Sequence, residues 1–142
     1  MSLPQLEYAF TIVAEVGPPL PIEARAGEQL DIIPITGGTV TGRITAMVEP
    51  GGADWCRLRS DGAYEVEARY WIRTDDGAVI DIVNVGRIAP EIAGSDADEL
   101  FITTPQFRTI APQYQWLTQR AFVGQAVSTD AHTTIAVYEV VG

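Results

Sequence analysis

The 142-residue sequence predicts an all-β protein: a single antiparallel up-and-down β-barrel, lipocalin-like in shape, with one or two short helical turns. Apolar and polar residues alternate along most of the chain, which is the period of a strand with one buried face. The alternating segments recur at short intervals and are separated by glycine-containing turns. No helical pattern is long enough to form a layer, and closure into a barrel removes the exposed edges of so many strands. We therefore expect residues 1–142 to form one domain.

The first third of the chain predicts three strands. The residues of Leu6–Val16 alternate between an apolar set, which includes Tyr8 and Phe10, and a more polar set, and Pro18 and Pro19 then stop the strand. The next predicted strand, Gln29–Ile35, ends near the glycines of 36–38. The third, Thr39–Val48, ends at the Pro-Gly-Gly of 50–52.

Two tight hairpins follow. Asp61-Gly62 and Asp76-Gly77 are typical of two-residue hairpin turns, and they join the predicted strands Trp55–Arg59, Ala63–Arg73 and Ala78–Val85. Residues 86–99 combine glycine, proline and acidic residues and predict a long surface loop. Three further strands are predicted at Phe101–Thr109, Arg120–Val127 and Thr133–Val141, with one or two helical turns between residues 112 and 119.

Composition excludes several classes of function. The net charge of −10 disfavours binding to nucleic acid and to anionic membranes. All nine basic residues are arginine, so Schiff-base catalysis by lysine is excluded. One histidine and one cysteine make multi-histidine metal sites and an intrachain disulfide impossible, and we expect no metal and no nucleotide cofactor. The N-terminus has no signal-peptide pattern and no apolar run could span a bilayer, which predicts a cytoplasmic protein.

Asp54 is the first candidate for a catalytic residue. It follows Gly51 and Gly52, which allow close backbone approach, and it precedes Trp55. A carboxylate at a barrel mouth beside apolar surface would have a raised pKa and could act as a general acid or base. The alternative interpretation is a turn in which Asp54 accepts hydrogen bonds from backbone amides.

Tyr70 and Asn84 are the other catalytic candidates. Tyr70 shares a strand face with mostly apolar residues, and Asn84 shares one with Ile80 and Ile82, so both side chains are predicted to point into the barrel. A hydroxyl and an amide in an apolar interior could orient an oxygen of a substrate. Alternatively, they bind each other or water.

Five residues are candidates for binding a substrate. Trp55 would supply apolar surface beside Asp54, and Arg73 could polarise an oxygen. Aromatic residues near the short helical turn would either cover the barrel mouth as a pocket wall or plug the barrel end as core; these are Tyr114, Trp116 and Phe122.

Several segments together resemble a known family. IIPITGGTVTG (32–42), PGGADW (50–55), ARYWIRTDDGAVIDIVNVG (68–86), TTPQF (103–107) and QYQWLTQRAFVG (113–124) are similar, in this order, to domain-of-unknown-function family 3237, also called uncharacterised protein family 0311. The resemblance covers nearly the whole chain. It implies a small β-barrel of bacterial or fungal type that is often oligomeric.

These observations leave three functions open. The first is a cofactor-independent lyase, isomerase or cyclase that acts on an apolar or aromatic carbonyl compound inside the barrel. The second is a barrel that binds a small ligand without chemistry, and the third is a structural barrel with a filled interior. We also expect a homo-oligomer, with a dimer favoured, because both faces of Ala78–Val85 carry apolar residues.

Overall fold

The computed structural model describes residues 1–93, 99–129 and 131–142. It contains ten strands, two single-turn helices and one 3₁₀ turn. The strands are β1 Gln5–Val16, β2 Leu20–Arg25, β3 Glu28–Gly42, β4 Ala46–Val48, β5 Gly52–Leu58, β6 Tyr64–Thr74, β7 Val79–Ile88, β8 Glu99–Arg108, β9 Phe122–Ser128 and β10 His132–Val141. The helices are α1 Pro90–Ala93 and α2 Trp116–Gln119, and the 3₁₀ turn is Pro112–Tyr114.

The ten strands close into an antiparallel barrel with eight positions around its circumference. β1 and β2 pair in succession with the same side of β3, and β4 and β5 both lie between β3 and β6. From β6 onward each strand pairs with the next, and β10 pairs with β1 to close the barrel. The predicted antiparallel β-barrel with short helical turns is confirmed.

The structure corrects the predicted strand pattern in the first third of the chain. Residues 36–38 do not end a strand, because β3 runs through them from Glu28 to Gly42. Gly38 has φ +141°, and a Cβ atom there would lie 2.0 Å from the carbonyl oxygen of Val13. The glycine therefore lets β1 and β3 approach closely where a turn was expected. The exposed strand β2 was not predicted, and part of the predicted loop at 86–99 is strand β7 and helix α1, with residues 94–98 outside the described residues.

One end of the barrel is closed by packed side chains. Phe107 makes edge contacts with Phe10 and Phe122, at centroid distances of 5.7 Å and 5.3 Å. Leu117 of α2 is 2% exposed and packs into this cluster. Glu139, 4% exposed, forms ion pairs there with Arg43 at 3.2 Å and Arg120 at 3.1 Å. We call this the closed end.

The other end, which we call the open end, is where β7 ends and β8 begins. It is formed by the last residues of β1, β7 and β9 and the first residues of β8 and β10. In the described residues, no helix is long and apolar enough to cross a membrane. The buried polar side chains of Asp54, Tyr70, Asn84 and Thr103 lie between the open end and the packed core.

Candidate functional site

Three adjacent strands place Asp54 and Asn84 on one level of the barrel interior. Asp54 of β5 is paired with Ala68 of β6, and Ala68 is paired with Asn84 of β7. Two strand spacings separate the Cα atoms of Asp54 and Asn84 by about 10 Å. The small side chain of Ala68 between them leaves space for both polar side chains to converge.

Tyr70 and Thr103 complete the polar cluster. Tyr70 lies two residues beyond Ala68 on the same face of β6 and is 2% exposed, and Thr103 of β8 is also 2% exposed. Together with Asp54 and Asn84 they line an interior cavity of about 40 Å³, and the remaining lining is mostly apolar. We call this space the inner cavity.

Each of the four polar side chains presents an unpartnered atom. In the described parts of the chain, the buried side-chain atoms without a hydrogen-bond partner are Asp54 Oδ1, Tyr70 OH, Asn84 Oδ1 and Thr103 Oγ1. Buried polar atoms are nearly always paired, because each unpaired one costs about 1–3 kcal/mol. Four such atoms around a single cavity indicate a site for a hydrogen-bonding guest, which is either water or part of a ligand.

Burial governs the ionisation of Asp54. Loss of hydration raises its pKa from 3.8 to about 6, a backbone hydrogen bond at Glu67 opposes this rise, and the charge of Glu67 adds to it. Burial, and then the charge of Asp54, also raise the pKa of Tyr70. The site therefore combines a carboxyl group that titrates close to neutral pH with a hydroxyl that remains a hydrogen-bond donor.

A larger space adjoins the inner cavity on the side of the open end. This vestibule has a volume of about 370 Å³ and is lined by Gly17, Pro19, Ile33, Cys56, Ile88, Ser128 and Thr129, with five residues that also line the inner cavity. The shared residues are Val16, Asp54, Val66, Phe101 and Thr133. Asp54 thus lies where the two spaces meet.

Two glycines make room for the Thr103 side chain. Gly86 and Gly124 pair with Thr103 from the strands on either side of it. A Cβ atom on Gly124 would lie 2.3 Å from Thr103 Oγ1, and one on Gly86 would lie 2.9 Å from its methyl carbon. Larger residues at either position would displace the hydroxyl from the inner cavity.

Trp55 and Arg73 do not join the cluster. Trp55 follows Asp54 in β5, so its side chain points to the outer face of the barrel, where it is 37% exposed. The barrel interior raises the pKa of Asp54, and the expectation that Trp55 would do so is wrong. Arg73 also points outward and its Nε donates to Glu49 at 2.9 Å.

The aromatic candidates lie at the closed end. Trp116 packs on Phe122 at a centroid distance of 5.9 Å, and the guanidinium of Arg43 lies 5.6 Å from the Trp116 ring centre. The Tyr114 hydroxyl donates to Asp76 at 3.1 Å. None of the three lines the inner cavity or the vestibule, and they pack against the hydrophobic core as in the plug alternative.

Sequence reasoning missed Thr103, although a signal was present. Phe101, Thr103, Pro105 and Phe107 share one parity of β8, and both phenylalanines are large apolar residues of the kind that fill a core. A threonine between two core positions of a strand must point into the barrel. Among the residues that the structure describes, no three His, Cys, Asp or Glu side chains cluster as metal ligands.

Comparison with known sequences identifies similar bacterial proteins. The sequence model of the family "Protein of unknown function (DUF3237)" matches residues 4–140. UPF0311 protein RPA1785 of Rhodopseudomonas palustris is 40% identical over 147 aligned positions, which cover 96% of each chain. A crystal structure of RPA1785, described as a conserved protein of unknown function, superposes with a TM-score of 0.90, 37% identity and coverage of 99% of this chain and 100% of that one.

Two other solved structures have the same fold. A β-barrel-like protein from Acinetobacter baumannii has a TM-score of 0.88 and 29% identity, with coverage of 99% of this chain and 98% of that one. A protein from Penicillium herquei, described as an enzyme, has a TM-score of 0.81, 21% identity and coverage of 99% of this chain and 97% of that one. At 21% identity the last comparison establishes the shared fold alone.

Proposed function

The chain belongs to the DUF3237 family of proteins of unknown function, and we propose that it is an enzyme that moves a proton of a small carbonyl compound with the carboxylate of Asp54. The observation that carries this proposal is the convergence of four unpartnered polar atoms on one cavity, one of them on a carboxyl group with a pKa of about 6. A general base works best when its pKa lies close to the working pH.

The proposed step begins with a carbonyl oxygen in the inner cavity and the adjacent carbon close to Asp54. The carboxylate takes a proton from that carbon, and the electron pair of the C–H bond moves toward the carbonyl oxygen. The hydroxyls of Tyr70 and Thr103 donate hydrogen bonds to this oxygen as it gains negative charge. Return of the proton to a second position gives isomerisation. Departure of a group from the next carbon, with its bonding electron pair, gives lyase chemistry and leaves the proton on Asp54. In cyclase chemistry the carbanion attacks a second carbonyl carbon of the same molecule, and the alkoxide that forms takes the proton from Asp54.

The same cavity weighs against the two other functions. A carrier without chemistry does not require a buried carboxylate that has no counter-charge, and that charge is costly to desolvate. A structural barrel would fill its interior as the closed end does, with each polar group paired. The unpartnered atoms therefore favour catalysis over carriage or assembly.

Deuterium exchange tests the proposal without knowledge of the natural substrate. Acetophenone, indanone and tetralone in heavy water should lose the protons next to the carbonyl group faster with the protein than without it, as followed by proton NMR. We expect Asp54→Asn to reduce this catalysed rate by about 10²–10⁴-fold, because the amide keeps the shape of the carboxylate but cannot accept the proton.

Asp81→Asn is the matched control. Asp81 is a carboxylate on the outer face of β7 and pairs with Arg108 at 2.9 Å, so its replacement should leave the exchange rate unchanged. Catalysis that survives in a folded Asp54→Asn protein would remove Asp54 from the mechanism. Tyr70 and Asn84 would then be the next residues to replace.

A further inference from the structure

We infer that the site selects uncharged molecules that enter oxygen-first from the open end, with one carbonyl or hydroxyl oxygen in the inner cavity and an apolar body in the vestibule, and that it excludes carboxylates and phosphates. This inference rests on the proposed function in taking these two connected spaces as the substrate site. It adds the charge, orientation and route of entry of the substrate.

The size of the two spaces sets the orientation. The inner cavity, at about 40 Å³, is a few times the roughly 10–15 Å³ of space that one water needs. A carbonyl or hydroxyl oxygen and the few atoms next to it can therefore enter the inner cavity, but the rest of a ligand cannot. The vestibule, at about 370 Å³, is within the usual range for small-ligand sites, about 300–1,000 Å³, and is large enough for the body.

The residues that line each space match this placement of the ligand, with its oxygen in the inner cavity and its apolar body in the vestibule. The inner cavity presents hydroxyl donors on Tyr70 and Thr103 and an acceptor on Asn84. The vestibule is lined by the apolar side chains of Ile33, Ile88 and Phe101, together with serine and threonine residues. An oxygen atom can therefore form hydrogen bonds in the inner cavity, while an apolar ring or chain packs against the apolar side chains of the vestibule.

In the described parts of the chain, no positively charged side chain faces the site. Among the described residues, no arginine or histidine lines either space, and residues 94–98 and 130 include no basic residue in the sequence. Eight of the nine arginines form ion pairs with carboxylates elsewhere, and Arg87 lies exposed on β7. An anionic ligand would therefore meet the Asp54 carboxylate without a counter-charge, in a medium where like charges repel far more strongly than in water.

The pH dependence of this exclusion follows from the titratable groups around the site. Tyr70 and Cys56 line the two spaces, and Glu67 acts on Asp54 through its charge and its backbone. The Tyr70 hydroxyl remains protonated, since its pKa is raised. Exclusion of anions should therefore weaken as Asp54 becomes protonated below about pH 6.

Acetophenone and benzoate form a suitable pair of probes, because they have nearly the same shape and differ in charge. At about pH 8, NMR titration of the isotope-labelled protein should show acetophenone binding at least about tenfold more tightly than benzoate. Its shifts should be centred on Val66, Phe101 and Ala126, which line the inner cavity. At about pH 5 the difference between the probes should shrink.

Asp54→Asn should strengthen benzoate binding about tenfold at about pH 8 and remove its pH dependence, whereas Asp81→Asn should behave as wild type. Equal affinity of the wild-type protein for both probes at about pH 8 would overturn the inference. So would the absence of acetophenone shifts inside the barrel up to its solubility limit. If acetophenone binds as expected but shows no deuterium exchange, the proposed catalysis fails and the selection for neutral ligands stands.

Discussion

The buried carboxyl group of Asp54 lowers the stability of the folded state above neutral pH. Its pKa is about 6 in the folded protein, against the ordinary value of 3.8 for an exposed aspartate. The folded state therefore holds the proton more tightly than the unfolded state does. Stability from this group is fully present below about pH 4 and is lost as the pH rises through about 6.

The pH dependence of stability should therefore change in Asp54→Asn. The amide does not titrate, so the variant should match the wild type at about pH 4 and exceed it at about pH 8. A pKa difference of this size corresponds to a gain of up to about 3 kcal/mol in the free energy of unfolding. Urea denaturation at the two pH values measures it, and an equal or lower stability of the variant at about pH 8 would mean that the carboxylate is not buried as described.

For single residues, the sequence was informative where strand alternation alone decides the direction of a side chain. Alternation placed Tyr70 and Asn84 inside the barrel, and the structure has them there. Alternation also requires the side chain of Trp55 to face away from that of Asp54 if both residues lie in a strand. The two glycines before Asp54 indicated a turn instead, and alternation does not apply in a turn. Thr103 was missed because a single threonine in a strand gives no functional signal in the sequence. Its role becomes visible only when the barrel places it beside a carboxylate from another strand.

Among the elements, strand β3 contains a glycine that packs directly on the backbone of β1. Gly38 combines φ +141° with a close contact to the backbone of β1. Sequence reasoning took its glycine pair for a turn, because glycine is typical both of turns and of close approach between strands. Whether a glycine forms a turn or a close contact depends on the strand that lies next to it. Here that strand is β1, which is remote from Gly38 in sequence.

Gly38→Ala should therefore destabilise the protein by more than about 3 kcal/mol, since a Cβ atom would overlap the carbonyl oxygen of Val13. Gly77→Ala is the matched control, because Gly77 also has a positive φ, +90°, but no atom lies within 4 Å of its Cβ position. That change should cost about 1–2 kcal/mol. Similar losses for both variants in thermal unfolding would contradict the close packing of β1 on β3.

For the whole molecule, the main structural feature is that the two ends of the barrel differ: one is filled by packed side chains and the other leads to the polar site. Alternation and the two Asp-Gly turns predicted the barrel, but they gave no information on which end closes. That depends on contacts between distant residues, such as Phe10 with Phe107 and Glu139 with Arg43. For this reason Tyr114, Trp116 and Phe122 were candidates for the pocket wall, although they lie at the end away from Asp54.

The outer surface bears on the expected oligomer. Val79 and Val85 of β7 are 44% and 39% exposed, and Leu100 and Ile102 on the neighbouring strand are 46% and 57% exposed. Val85, Leu100 and Ile102 lie toward the open end of these two strands, whereas Val79 lies at the other end of β7, beyond the Asp81–Arg108 ion pair. The outer face of β7 is thus partly apolar, as the sequence predicted. The homodimer inferred from this pattern stays a prediction.

In the proposed reaction the Asp54 carboxylate, in the barrel interior, is the group that accepts the proton. The most direct test is the pH dependence of deuterium exchange from acetophenone, with the wild-type protein and Asp54→Asn compared across the range from about pH 4 to 9. We predict a wild-type rate that rises to a plateau with a midpoint at about pH 6, and a low, flat profile for Asp54→Asn. A wild-type profile without this midpoint, or the same midpoint in both proteins, would contradict the account.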